Sequence, residues 1–208
     1  MWGLKRERRR HMIITVSRQA ATNGGLIGRL AAERLGLRVF DGELVDEIAR
    51  RMHVDPHVLA CFDESVVNPV QGVLEEWLNS VNECIYRRYR RDAFERIARE
   101  NNAMIIGRGA NFVLHGPHCL RVRIVAPLDL RVGIYRTVYP DISEAEARLR
   151  INKEDRGKAR FIHSLYHADI NDPQFYDLVV NLQSFSPEET LDQILSAAHT
   201  RVTRPQPR

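Results

Sequence analysis

The sequence predicts a single α/β domain whose parallel sheet is covered by helices on both faces. Three observations carry this. Short β-branched runs alternate with segments of helical periodicity, which is the pattern of a parallel sheet with helical crossovers. A polar turn with two adjacent glycines follows the first run. With 208 residues and 44% apolar content, the chain can build one core, but it is short for a second complete domain.

Met12 to Val16 is predicted as the first strand. Gly24-Gly25 lies in the turn after it, and Leu26, Ile27, Leu30, Ala31 and Leu35 then recur at helical spacing. Gly36 is placed to end that helix, Leu37 to Phe40 reads as a second strand, and Glu43 to Met52 as another helix. From His53 to Pro69 the pattern breaks up, with Pro56, Pro69 and scattered acids predicting loops and short helical pieces. Gly72 to Asn101 predicts one or two helices with Ile85, Tyr89, Phe94, Ile97 and Ala98 on the apolar face. Ala103 to Ile106 is a buried strand running into Gly107-Arg108-Gly109, and Leu120 to Val125 is another, followed by Ala126-Pro127 and a helix from Asp129 to about Val138. Ser143, with Glu146 three positions on, predicts a capped helix from Glu144 to about Lys158. Tyr176 to Asn181 is the last strand, and Ser186-Pro187-Glu188-Glu189 opens the final helix.

The net charge of +4 suggests a nucleic-acid partner until it is divided along the chain. Residues 1–11 hold Lys5, Arg6, Arg8, Arg9 and Arg10 against Glu7, and the last ten hold Arg201, Arg204 and Arg208, so the remainder is net acidic. The expected organisation is therefore a basic extension over 1–11, one domain over 12–198 and a flexible tail over 199–208, with Met12 itself a candidate start. Nucleic acid is not expected as a partner. No run approaches the roughly 18 apolar residues that cross a bilayer, and the N-terminus lacks an export-type apolar stretch. Cys61, Cys84 and Cys119 are too few and too widely spaced for a disulfide framework, so a cytoplasmic protein is expected. Oligomeric state is not legible in the sequence.

The segment Ser17-Arg18-Gln19-Ala20-Ala21-Thr22-Asn23-Gly24-Gly25 lies where α/β folds bind phosphate, on inward amides and the positive end of a helix. Alone, it equally fits a tight connection that uses glycine for unusual dihedrals. It is joined by Phe40-Asp41, Ile-Gly-Arg-Gly-Ala at 106–110, Asp155-Arg156 and Tyr-Asp-Leu-Val-Val-Asn at 176–181. Together with Ile-Thr-Val-Ser-Arg at 14–18, these make the chain, from about Met12 to Leu195, resemble the cytidylate-kinase-like proteins of the P-loop superfamily.

The resemblance implies a three-layer P-loop-type fold with a small helical lid over about 143–170. It implies phosphoryl transfer from ATP, with magnesium, to a nucleoside monophosphate or another small phosphorylated acceptor, cytidylate first. A noncatalytic nucleotide-sensing or partner-binding module is the alternative. Arg18, Arg108, Arg156 and Arg160 would be catalytic, stabilising the transferred charge. Ser17, Ala21, Thr22, Asn23, Gly24, Gly25, Asp41, Gly107 and Lys153 would bind nucleotide, with Lys158 also in the lid; no resident metal ligand is implied. Each cation also has a structural reading: Arg108 as an ion-pair partner, and Lys153 to Arg160 as a solvated helix face. Asp41 fits the cap of the following helix equally well.

The chain also departs from the family pattern. In the register that aligns the turns, Gly24 stands at the Walker lysine position and Leu26 at the hydroxyl position. Ala21 and Asn23 replace expected glycines, Gly25 and Leu26 replace an Arg-Glu pair, and Gly109 replaces an aspartate. Elsewhere, His53, Asp55 and His57, and likewise His115, His118 and Cys119, lack tetrahedral metal spacing. Arg87-Arg88-Tyr89-Arg90-Arg91 reads as a hydrated helix face rather than a nucleic-acid grip.

Overall fold

The structure, a computed structural model, describes residues 12–41, 83–100 and 102–203. The apolar runs form strands where they are predicted: β1 (Ile13–Arg18), β2 (Arg38–Phe40), β3 (Ala103–Ile106), β4 (Cys119–Val125) and β5 (Leu178–Asn181). All pairings among them are parallel, in the order β2-β3-β1-β4-β5. The described helices are α1 (Gly24–Leu35), α2 (Glu83–Glu100), α3 (Leu128–Val138), α4 (Glu144–Tyr166) and α5 (Pro187–Thr203).

Strand side chains alternate between faces, which sorts the core into two layers. Ile14, Val16, Met104, Ile106, Val122 and Ile124 pack against Ile27 and Ala31 of α1 and Ile194 and Ala198 of α5. Ile13, Ala103, Ile105 and Cys119 face the other way, toward Phe94 and Ile97 of α2 and Leu165 of α4. The expected sheet with helices on both faces is thus present. In the β1–β4 ladder Ser17 stands abreast of Arg123, so both side chains lie on the face covered by α2 and α4, at the carboxyl ends of the strands.

The helix ends follow the capping signals. Gly36 adopts a left-handed conformation at φ 63°, and its N–H donates to the carbonyls of Ala32 and Glu33. Ser143 Oγ accepts the Glu146 amide at 3.2 Å. Ser186 and Glu189 form a reciprocal capping box, with the Ser186 N–H donating to Glu189 Oε2 at 2.8 Å and the Glu189 N–H to Ser186 Oγ at 3.1 Å.

Four sequence expectations need correction. Leu26 and Leu30 do not face the core; they are 59% and 42% exposed, because α1 lies close on the sheet through Ile27, Gly28, Ala31 and Ala32. Helix α4 continues past Lys158 to Tyr166, drawn on by the burial of Ile162 and Leu165. Helix α5 runs to Thr203, five residues into the stretch expected as a flexible tail; Ala198 is buried, and Arg201 Nη2 lies 2.6 Å from Asp177. Arg90 is not on a hydrated face: it is 1% exposed, and its guanidinium lies over the rings of Phe94, Phe161 and Tyr166, since it shares a helical stripe with Phe94 and Ile97. The expected helix at Glu43–Met52 and the irregular stretch 53–69 lie outside the described residues. Among the described residues no helix is long and apolar enough to cross a membrane.

Candidate functional site

The turn between β1 and α1 keeps an unusual path without the glycines that would make it cheap. Ala21 has φ 59° and Asn23 has φ 54°, both left-handed, at the two positions where the resemblance expects glycine. Asparagine tolerates this region, while alanine is strained there by roughly 1–2 kcal/mol. The turn is braced internally. Thr22 Oγ1 donates to the Gln19 carbonyl at 2.9 Å and accepts the Gly24 N–H at 3.3 Å, while Gln19 Oε1 accepts the Ala126 N–H at 2.9 Å.

Gly24 cannot simply be exchanged for the missing lysine. A Cβ built there lies 2.8 Å from Arg18 Cβ, 3.1 Å from Thr22 Oγ1 and 3.3 Å from Ile124 Cδ1, so the space is already filled. The aligned hydroxyl position holds Leu26, which has no hydroxyl and is exposed to solvent. Gly25 is half-buried, and a Cβ built there would meet open space.

Beside this turn lies a cleft of about 440 Å³. Arg18 and Gln19 form one wall, Arg123 of β4 and Asn171 the floor, and Asn152, Asp155, Arg156, Lys158 and Ala159 of α4 the other wall. Positions 152, 155, 156 and 159 follow helical spacing, so one stripe of α4 faces the loop. Asp155 fastens that helix to the turn: its Oδ1 accepts the Ala20 N–H at 2.8 Å, and its Oδ2 accepts from Arg131 Nη1. Arg131 is itself buried, with Nε on the Ala126 carbonyl at 2.9 Å. Lys158, also buried, pairs with Glu154 at 2.7 Å, and Arg156 Nε donates to the Asn152 carbonyl at 3.2 Å.

Of the residues expected to bind or catalyse, the structure brings Arg18, Arg156 and Lys158 into one cleft, with Ser17, Ala21, Thr22, Asn23, Gly24 and Gly25 forming the strand end and turn beside it. Lys153 and Arg160 are exposed on α4 and do not line it. Asp41, at the end of β2, pairs with Arg29 of α1 at 2.6 Å and also lies outside the cleft. Arg108 sits in a turn where Gly107, Arg108 and Gly109 all have positive φ, of 76°, 62° and 67°; it too is not among the residues around this cleft. Gly107 donates its N–H to the Val16 carbonyl at 2.8 Å, tying that turn to β1. Gly109 has a steric reason to replace aspartate: a Cβ there lies 2.8 Å from Ile162 Cδ1 and 3.0 Å from Tyr166 Cε2 of α4.

Sequence reasoning missed Arg123, Arg131 and Asn171, and it noted Asp155 without giving it a partner. A signal for Arg123 did exist. A central parallel strand is covered on both faces and should be apolar throughout, yet β4 carries Arg121 and Arg123 on one face. Arg121 is accounted for by a bidentate pairing with Asp177, its Nε and Nη2 each 3.1 Å from a carboxylate oxygen. Arg123 is not: its Nη1 donates to Ser17 Oγ at 2.7 Å and its Nη2 to Asn171 Oδ1 at 2.9 Å, and both partners are neutral. Among the described residues, no group of three or more His, Cys, Asp or Glu side chains is placed to hold a metal ion.

Comparison with known proteins gives this arrangement a context. A model of the cytidylate kinase-like family matches residues 13–184. The chain is 25% identical over 186 residues to a cytidylate kinase from Sulfolobus acidocaldarius, covering 88% of this chain and 92% of the relative. It is 29% identical over 182 residues to a cytidylate kinase from Pyrococcus horikoshii, covering 85% and 83%. Among solved structures, an uncharacterized protein from Eubacterium ventriosum matches with a TM-score of 0.68 at 16% identity, over 91% of this chain and 99% of its own, a likeness of fold alone.

Proposed function

The chain belongs to the cytidylate kinase-like family, with an α/β fold of P-loop type, and from that premise we propose that it is a phosphotransferase. It takes a phosphoryl group from ATP, supplied as the magnesium complex, to a nucleoside monophosphate or another small phosphorylated acceptor, with cytidylate the first acceptor to test.

One observation carries the reading: four cations, Arg18, Arg123, Arg156 and Lys158, line a single cleft beside a turn that retains left-handed dihedrals at Ala21 and Asn23. Phosphoryl transfer asks little covalent chemistry of a protein. It needs in-line alignment and positive charge around the transferred oxygens, and converging cations in a partly desolvated cleft supply both. An acceptor phosphate oxygen attacks the γ-phosphorus as the bond to the ADP oxygen breaks. Arg18 from the loop side and Arg156 from α4 hold the charge that spreads in between. Arg108, Arg160 and Lys153 remain candidates for the acceptor side and the lid. The described residues do not fit a Walker-type magnesium site, since Leu26 is exposed and the Thr22 hydroxyl is bonded within the turn. No step is therefore assigned to protein-held metal.

A second reading, a nucleotide-sensing module, draws on the same turn, because Asp155 holds the Ala20 N–H and the side-chain space at Gly24 is closed. A thermal-shift screen of nucleotides followed by coupled ADP-release assays on the hits separates the two. Stabilisation by ATP and by a monophosphate, with ADP release that needs both, is the expected result. Stabilisation without ADP release selects the sensing module, and no stabilisation by any nucleotide refutes both.

A further inference from the structure

Arg123 is 4% exposed, on a strand flanked on both sides, and it still lines the cleft. Its hydrogen bonds go to Ser17 and Asn171, and its guanidinium lies 5.4 Å from the centre of the Tyr176 ring. None of these carries negative charge. The Tyr176 hydroxyl donates to the Ile170 carbonyl at 2.7 Å, and burial pushes its pKa up against the opposing pull of Arg123, so it stays neutral. Among the described residues no carboxylate pairs with Arg123, and the one carboxylate around the cleft, that of Asp155, is committed to Ala20 and Arg131.

The same fold supplies its own controls. Arg121, two residues earlier on the same face, is paired with Asp177, which Arg201 shares, and buried Arg131 is paired with Asp155. These two arginines each contact a carboxylate directly, whereas the hydrogen-bond partners of Arg123 are neutral side chains. A buried cation is costly unless it is paired, and two hydrogen bonds leave a guanidinium with donors to spare. Arg123 stands abreast of Ser17, at the strand end that opens the phosphate turn, and that turn carries glycine where a lysine would face the donor.

We propose that Arg123 is the anion-binding cation of the donor site, supplying from β4 the charge that the phosphate turn lacks and taking an oxygen of a polyphosphate. This rests on the phosphotransferase reading for the identity of the ligand, but not for its charge.

The test uses the full chain and sodium tripolyphosphate at fixed ionic strength, with affinity from calorimetry and stability from thermal melts. Arg123→Gln should weaken tripolyphosphate binding by about 30-fold or more, as expected when one partner of a desolvated charge pair is removed. The unliganded variant should melt no lower than the parent, because an uncompensated buried charge has been removed. Asn171→Asp places a carboxylate beside Arg123 Nη2 while leaving the arginine in place, and should weaken binding by about tenfold by competing with the ligand. Full affinity in Arg123→Gln overturns the proposal, as does a parent that does not bind tripolyphosphate. If Arg123→Gln does not fold, Asn171→Asp decides, and undiminished affinity in it overturns the proposal. Tripolyphosphate binding that depends on Arg123, in a parent that releases no ADP with any acceptor, supports this site and refutes only the phosphotransferase reading.

Discussion

Replacing Asp155 by alanine should cost about 3 kcal/mol of stability, a large loss for one partly exposed side chain. The carboxylate holds two donors, the Ala20 N–H at 2.8 Å and the buried Arg131 guanidinium. Leaving a buried amide unsatisfied costs about 1–3 kcal/mol, and stripping a buried arginine of its carboxylate costs about 3–5 kcal/mol. The two penalties do not simply add, because 24% of the Asp155 side chain is exposed and water can enter the gap. Arg131 also keeps its bonds to the Ala126 and Ala20 carbonyls. For a chain of this size about 3 kcal/mol corresponds to a melting point lower by about 6–12 °C. Asp155→Asn should fall between parent and Asp155→Ala: its amide oxygen can still accept from Ala20, while its amide nitrogen meets another donor in Arg131. Denaturant unfolding and thermal melts of the three proteins measure the series. An Asp155→Ala protein melting within about 1 °C of the parent would refute the claim that this carboxylate fastens α4 to the turn.

Further outcomes follow from the same geometry. Gly24→Ala should destabilise by about 1–3 kcal/mol through overpacking, and Gly24→Lys should not create a donor site, since its Cβ already collides with Arg18; a stable Gly24→Lys protein with stronger ATP affinity would contradict this. Ala21→Gly should be more stable by about 0.5 kcal/mol, the left-handed strain relieved exceeding the unfolded-state entropy gained, with urea midpoints as the check. Burial opposes the charge of Asp177, but the hydrogen bonds from Arg121 and the charges of Arg121 and Arg201 outweigh it and hold its pKa below the usual aspartate value. Its stabilisation is therefore complete above about pH 4, the unfolded pKa, and is lost as pH falls through the lower folded value. The stability gap between parent and Asp177→Asn should shrink only in that acid range, and a gap unchanged to pH 2 would count against the pairing. Burial pushes the Cys119 thiol up to about 12, so it should resist iodoacetamide at neutral pH until the protein unfolds, as mass spectrometry of the Cys119 peptide can show.

The features the sequence determined by itself are those that depend on neighbours along the chain. Alternating apolar runs placed β1 to β5 within a residue or two, Gly36 ended α1, and Ser143 and Ser186 opened α4 and α5, because periodicity and capping are local properties. The motifs at 14–18, 106–110 and 176–181 were also enough to point to the family. Tertiary structure alone decided which cations meet and which are already neutralised. Arg121 and Arg123 look alike in the sequence, but the pairing of β4 with β5 gives the first a carboxylate, whereas the second meets the neutral side chains of Ser17, 106 positions away on β1, and Asn171. The same holds for Asp155, whose partners come from the turn 135 positions earlier and from α3, and for Arg90, which the packing of α2 against α4 removes from solvent. Charge compensation depends on distance in space, and the order and register of the strands set that distance.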